Sequence, residues 1–151
     1  MNIEIHSMQS LKQRASKPFA SGTALISIGE FGTALPQMEY KPEYILRLEF
    51  DDITPAGIDY ENSGKYVFRL FSAEQAKQIA DFVYRYRNNC GTFLCQCLFG
   101  LSRSAAVAAA LKEHFDHNSI EIFADEQYCP NIYVFRLTLQ ALRERKAKCA
   151  F

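Results

Sequence analysis

Thr92-Phe93-Leu94-Cys95-Gln96-Cys97 leads directly into Leu98-Phe99-Gly100-Leu101-Ser102-Arg103-Ser104, and the chain then turns alanine-rich as far as Phe115. Residues 92–97 read as a strand buried on both faces, and residues 104–115 as a helix. A strand, a short glycine-containing loop and a helix in immediate succession make an anion cradle, because successive backbone N–H groups and a helix amino end converge on one point. Gly100 permits the curvature this needs. Arg103, at the helix start, can grip two phosphate oxygens with its planar fork. The same positive potential favours thiolate over thiol at Cys97, and the Ser104 hydroxyl can add a hydrogen bond to it. Leu98, Phe99, Gly100, Leu101, Ser102 and Arg103 are therefore expected to bind a phosphate or sulfate dianion, with Cys97 as a nucleophile toward phosphorus.

A bare Cys-x5-Arg says little in a chain of 151 residues with five cysteines and nine arginines. Its weight comes from the glycine at the third intervening position, the hydroxyl after the arginine, and the strand and helix on either side.

Working outward, Thr23–Ile28 is a short apolar run closed by Gly29, and Tyr44–Phe50 alternates with period two; both are expected strands. Ser72-Ala73-Glu74-Gln75 is a capping box, followed by Ala76, Ile79, Ala80, Val83 and Tyr86 at helical spacing. Pro130-Asn131 opens a last amphipathic helix that is expected to fray into Arg143, Arg145, Lys146 and Lys148. Strands alternating with helices predict an α/β fold, a three-layer α/β/α arrangement around a mostly parallel sheet of four to five strands. Residues 1–151 fit one domain.

Seventeen basic residues balance seventeen acidic ones, so no long-range field gathers nucleic acid or an anionic membrane. Neither is an expected partner. The longest uncharged stretch, Asn88–Ser102, is 15 residues and too polar to span a bilayer. The amino terminus carries Glu4 among its first apolar residues and does not resemble a signal peptide, so the expected location is cytoplasmic, with the cysteines as thiols. Cys95-x-Cys97 has no second ligand pair at zinc spacing. No metal or cofactor is expected.

Three segments in order, Phe50-Asp51-Asp52-Ile53 after a strand, Cys97-x5-Arg103-Ser104, and Pro130-Asn131 opening a helix, resemble the cysteine-dependent protein phosphatases. The likeness is to the small dual-specificity branch and its compact bacterial tyrosine-phosphatase members. It implies a phosphatase-like fold, a cysteinyl-phosphate intermediate, no metal, and an aspartate that protonates the leaving oxygen and then activates water. Asp52 is favoured for that role over Asp51, with Asp59 further along the same loop; a solvated turn is the other reading of these carboxylates. Thr54–Phe71 lengthens the usual spacing to Cys97. Asn131 matches an asparagine that supports the phosphate loop, and asparagine after proline is also a plain helix cap.

The family places histidine immediately before the nucleophile, whereas this chain has Gln96, so Cys97 is expected to be activated less strongly. No lysine lies among the loop residues, which fits a phosphoprotein, with phosphotyrosine foremost and dual specificity next, better than an inositol headgroup. A small phosphate monoester also fits. The competing reading is a weak or silent phosphate-binding pseudophosphatase module. Cys95 reads as core. Cys90 and Cys149 are assigned no role; either could resolve an oxidised Cys97 only if the fold brought it near.

Overall fold

In this computed structural model residues 1–58, 64 and 67–149 are described. The elements in chain order are β1 (Asn2–His6), α1 (Met8–Arg14), β2 (Thr23–Gly29), β3 (Tyr44–Glu49), α2 (Ala73–Tyr86), β4 (Thr92–Gln96), α3 (Arg103–Asp116), α4 (Ile120–Phe123) and α5 (Ile132–Cys149), with a single 3-10 turn at Pro55–Gly57. The sheet order is β1-β4-β2-β3 and every pairing is parallel. The predicted α/β class and strand count hold.

The two central strands are the most apolar, as a parallel sheet covered on both faces requires. β2 is buried along its whole length. Side chains alternate across the sheet. Ala24, Ile26, Ile28, Phe93 and Cys95 face the large core beneath α2, α3 and α5, while Leu25 and Leu94 join Leu11 of α1 on the opposite face. Cys95 is fully buried, as expected of core, and burial pushes its thiol up to about 12.

Helix α2 begins at the predicted capping box. Ser72 Oγ accepts from Gln75 N, and the Gln75 side chain accepts in return from Ser72 N. One omission and one expectation at the ends of the chain need correction. The amino-terminal residues, given no element from sequence, form β1 and α1, with Ser7 and Ser10 building a second capping box. The basic carboxyl segment does not fray. α5 continues through Arg143, Arg145 and Lys146 to Cys149, because Arg145 is tied by its Nε to Asp81 of α2 at 2.8 Å.

Candidate active site

In open parallel sheets ligands bind outside the carboxyl ends of the strands, and β2, β3 and β4 all end at one place here. Cys97, directly after β4, is 3 % exposed. Its Sγ lies 3.0 Å from Ser104 Oγ in the first turn of α3. The loop from Leu98 to Ser102 bends around this sulfur through Gly100 at φ +69°. A β-carbon at Gly100 would sit 2.6 Å from Ser7 N and 2.8 Å from the His6 carbonyl carbon, so glycine is needed for the close approach as well as for the dihedral. The loop leans on this β1–α1 corner directly. Cys97 N donates to His6 O at 3.2 Å and Met8 N donates to Leu98 O at 3.0 Å.

None of the backbone N–H groups from Leu98 to Arg103 donates to an acceptor among the described residues. Buried or half-buried donors are normally satisfied. Arg103 adds to the deficit. Its Nη1 donates to Phe50 O at 2.8 Å and its Nη2 to Glu30 Oε1 at 2.8 Å, yet its buried Nε has no partner. These unsatisfied donors lie in the loop directly after Cys97 and at the amino end of a 14-residue helix. That arrangement suits a tetrahedral oxyanion.

Asp52 sits at the rim. Its Oδ1 accepts from Ser102 Oγ at 2.8 Å and from Asn131 Nδ2 at 2.9 Å. Asn131 Oδ1 also accepts from Tyr133 N and Val134 N at the start of α5, the geometry of a helix cap. Its own N–H donates to Ser102 O at 3.4 Å. Asp51, grouped from sequence with the supporting residues, is turned away from the loop. Its Oδ2 accepts from Arg69 N at 2.9 Å, and its N–H donates to Arg69 O at 2.8 Å. Asp59 lies outside the described residues.

Asp52, Cys97, Phe99, Leu101, Ser102, Arg103 and Cys129 line a pocket of about 330 Å³. A groove of about 470 Å³ between α2 and α5 is larger but has no cysteine in its lining and no phosphate-type loop, so chemistry rather than volume picks out the site. The pocket mouth is apolar: Phe99 is 70 % exposed and Leu101 41 %. Gln96 faces away from Cys97 Sγ, as strand alternation demands. Its amide donates to the Cys97 carbonyl at 2.8 Å instead.

Three contributors were not foreseen. Glu30, which anchors Arg103, comes from the loop after β2. Ser27 donates to Gln96 Oε1 at 2.6 Å. Cys129 is exposed and stands in the pocket wall, whereas Cys90 is buried under the sheet and Cys149 lies at the end of α5 beside Arg145 Nη1, at 3.0 Å. Among the described residues no group of His, Cys, Asp and Glu is placed to hold a metal, and no helix is long and apolar enough to cross a membrane.

The chain has the fold of the dual-specificity and tyrosine phosphatases. Human DUSP28 superposes with a TM-score of 0.55 at 15 % identity, covering 97 % of this chain and 94 % of that one. The structure of PTPMT1 in complex with PI(5)P gives 0.54 at 13 %, covering 98 % and 94 %. Tk-PTP in its active form gives 0.53 at 16 %, covering 96 % and 93 %. These matches single out no small bacterial branch. No family model matches the chain, and no curated protein matches its sequence.

Proposed function

We propose that the protein is a phosphate monoester hydrolase acting on phosphoproteins, phosphotyrosine foremost, through a cysteinyl-phosphate intermediate. One observation carries this reading: the N–H groups of Leu98 to Arg103 and the Arg103 Nε, none of which has an acceptor among the described residues, follow directly on a buried cysteine whose sulfur meets a serine hydroxyl.

In the first step Cys97 Sγ attacks phosphorus and the ester oxygen leaves with a proton from Asp52. The equatorial oxygens are held by the loop amides and by Arg103, whose carboxylate and carbonyl partners fix its fork before substrate arrives. In the second step Asp52 takes a proton from water, which displaces the thiolate and releases inorganic phosphate. Ser104 Oγ donates to the departing sulfur. The apolar mouth at Phe99 and Leu101 suits the ring of a phosphotyrosine better than a highly charged headgroup.

A silent phosphate-binding module is favoured by a different observation: Asp52 Oδ1 is already shared between Ser102 and Asn131. Hydrolysis of p-nitrophenyl phosphate by the wild type, with Cys97→Ser beside it, decides between the two. The enzyme reading expects turnover that Cys97→Ser abolishes while phosphate affinity survives; phosphate binding without any turnover favours the module.

A further inference from the structure

Gln96 ends a row of three polar residues that runs straight across the sheet. Ser27 of β2 stands in register opposite Arg47 of β3 on one side and Gln96 of β4 on the other. Arg47 Nη1 donates to Ser27 Oγ at 2.8 Å, Ser27 Oγ donates to Gln96 Oε1 at 2.6 Å, and Gln96 Nε2 donates to the Cys97 carbonyl at 2.8 Å. Ser27 and Gln96 are 0 % and 2 % exposed.

The row has one direction because a guanidinium only donates. Ser27 Oγ must accept from Arg47, so its proton goes to Gln96. Gln96 must then present its oxygen to Ser27 and its NH2 to Cys97. Without a donor at the head of the row, Ser27 is free to rotate and the Gln96 amide to flip, which sets one carbonyl oxygen against another. In a trans peptide the carbonyl and the following N–H point to opposite sides. Holding the Cys97 carbonyl therefore fixes the direction of the Leu98 N–H, the first donor of the cradle.

We propose that Arg47 is a positioning residue for the phosphate loop, acting through Ser27 and Gln96 to hold the Cys97–Leu98 peptide with its N–H turned into the cradle. This rests on reading the loop as an oxyanion site. Arg47 is itself held: its Nη2 donates to Thr33 Oγ1 at 2.8 Å and Thr33 O at 3.1 Å. Gly29 leaves it room, since a β-carbon there would overlap the guanidinium. Burial pulls its pKa down while Glu49 and Glu30 push it back up, and a guanidinium so placed stays charged.

Calorimetric binding of tungstate, a tetrahedral oxyanion, tests the row. Ser27→Ala and Arg47→Met should each weaken binding about tenfold, roughly one hydrogen bond's worth, and the double variant should be no weaker than either single one. Arg47→Lys, which keeps a donor, should bind within threefold of wild type and stands in where Arg47→Met does not fold. Thr33→Val removes the Oγ1 acceptor of Arg47 while leaving the Thr33 and Ala34 carbonyls that Nη2 also meets, and should change affinity less than twofold. The Leu98 amide resonance should shift on tungstate addition in the wild type and shift less in Ser27→Ala. Wild-type affinity in both Ser27→Ala and Arg47→Met, or losses that simply add, overturns the proposal. A wild type that binds tungstate without Cys97-dependent hydrolysis overturns only the enzymatic reading; one that hydrolyses while both relay variants bind normally overturns only the role of Arg47. A wild type that does not bind tungstate overturns both.

Discussion

Asn131 Nδ2 donates to Asp52 Oδ1 at 2.9 Å across 79 residues of sequence. One side chain thus caps α5 and holds the carboxylate that meets Ser102 of the loop, joining a stability role to the proposed chemical one. The two separate by substitution. Asn131→Ser keeps a capping acceptor for the first N–H groups of α5 but is too short to reach Asp52. It should melt near wild type and slow hydrolysis of phenyl phosphate, whereas Asn131→Ala should lose about 1 kcal/mol of stability as well. Equal melting losses in both variants would remove the cap from the account.

If Asp52 supplies the leaving-group proton, Asp52→Asn should impair phenyl and alkyl phosphates far more than nitrated or fluorinated phenyl esters, whose leaving groups depart as anions. Asp51→Asn should affect both substrate classes equally and lower the melting temperature, because its Oδ2 accepts from Arg69 N. Asp59→Asn completes the series. Leaving-group dependence at Asp59 rather than Asp52 would move the acid deeper into the loop.

Arg103 makes one bond to Phe50 O and one to Glu30 with its two terminal nitrogens, leaving Nε for an oxyanion. Lysine cannot reproduce that fork. Arg103→Lys should cost roughly two orders of magnitude or more in kcat/KM. A loss of tenfold or less would mean that another group holds the phosphate.

His114 of α3 is 9 % exposed, and its Nε2 lies 2.7 Å from Tyr84 Oη. Burial, then the charges of Lys146, Arg143, Arg87 and His117, hold its pKa below the usual 6.5. As pH falls through 6.5 the unfolded chain takes up this proton before the folded one does, so stability declines from there toward the lower folded value. Asp81, Glu113 and Glu121 have lowered pKa values because they accept hydrogen bonds, from Lys77, Ser119 and Lys112 first; their contributions are lost only at more acid pH. Urea titrations from pH 7.5 to 5 should show this decline, and His114→Gln should flatten it. An unchanged slope in that variant would assign the effect elsewhere.

The strand before Cys97, the loop and the helix after Arg103 could be read from sequence because each is a local pattern: an apolar run, a glycine at fixed offset, an alanine-rich helix. The same holds for α2, whose capping box is written in four residues. β1 was open to the same reading, since Ile3 and Ile5 alternate with Asn2, Glu4 and His6, but a five-residue strand with no fully buried position gives a weak signal. Glu30, Ser27, Arg47 and Cys129 carry no local mark. Ser27 matters only because the parallel register sets it between Arg47 and Gln96, and register is a property of three strands far apart in sequence. Cys129 reaches the pocket because its N–H donates to Leu101 O at 2.9 Å, which folds the segment before α5 against the loop.

The corner where β1 passes into α1 touches the phosphate loop through His6 O, Ser7 N and Met8 N, although none of its side chains lines the pocket. Occupancy of the cradle and docking of the first strand are therefore one coupled equilibrium: an oxyanion that binds only the closed loop also favours the state with β1 in place. If the cradle binds oxyanions as proposed, adding orthophosphate should slow amide exchange in Ile3 to His6 as well as in the loop, and an undocked first strand should weaken phosphate binding.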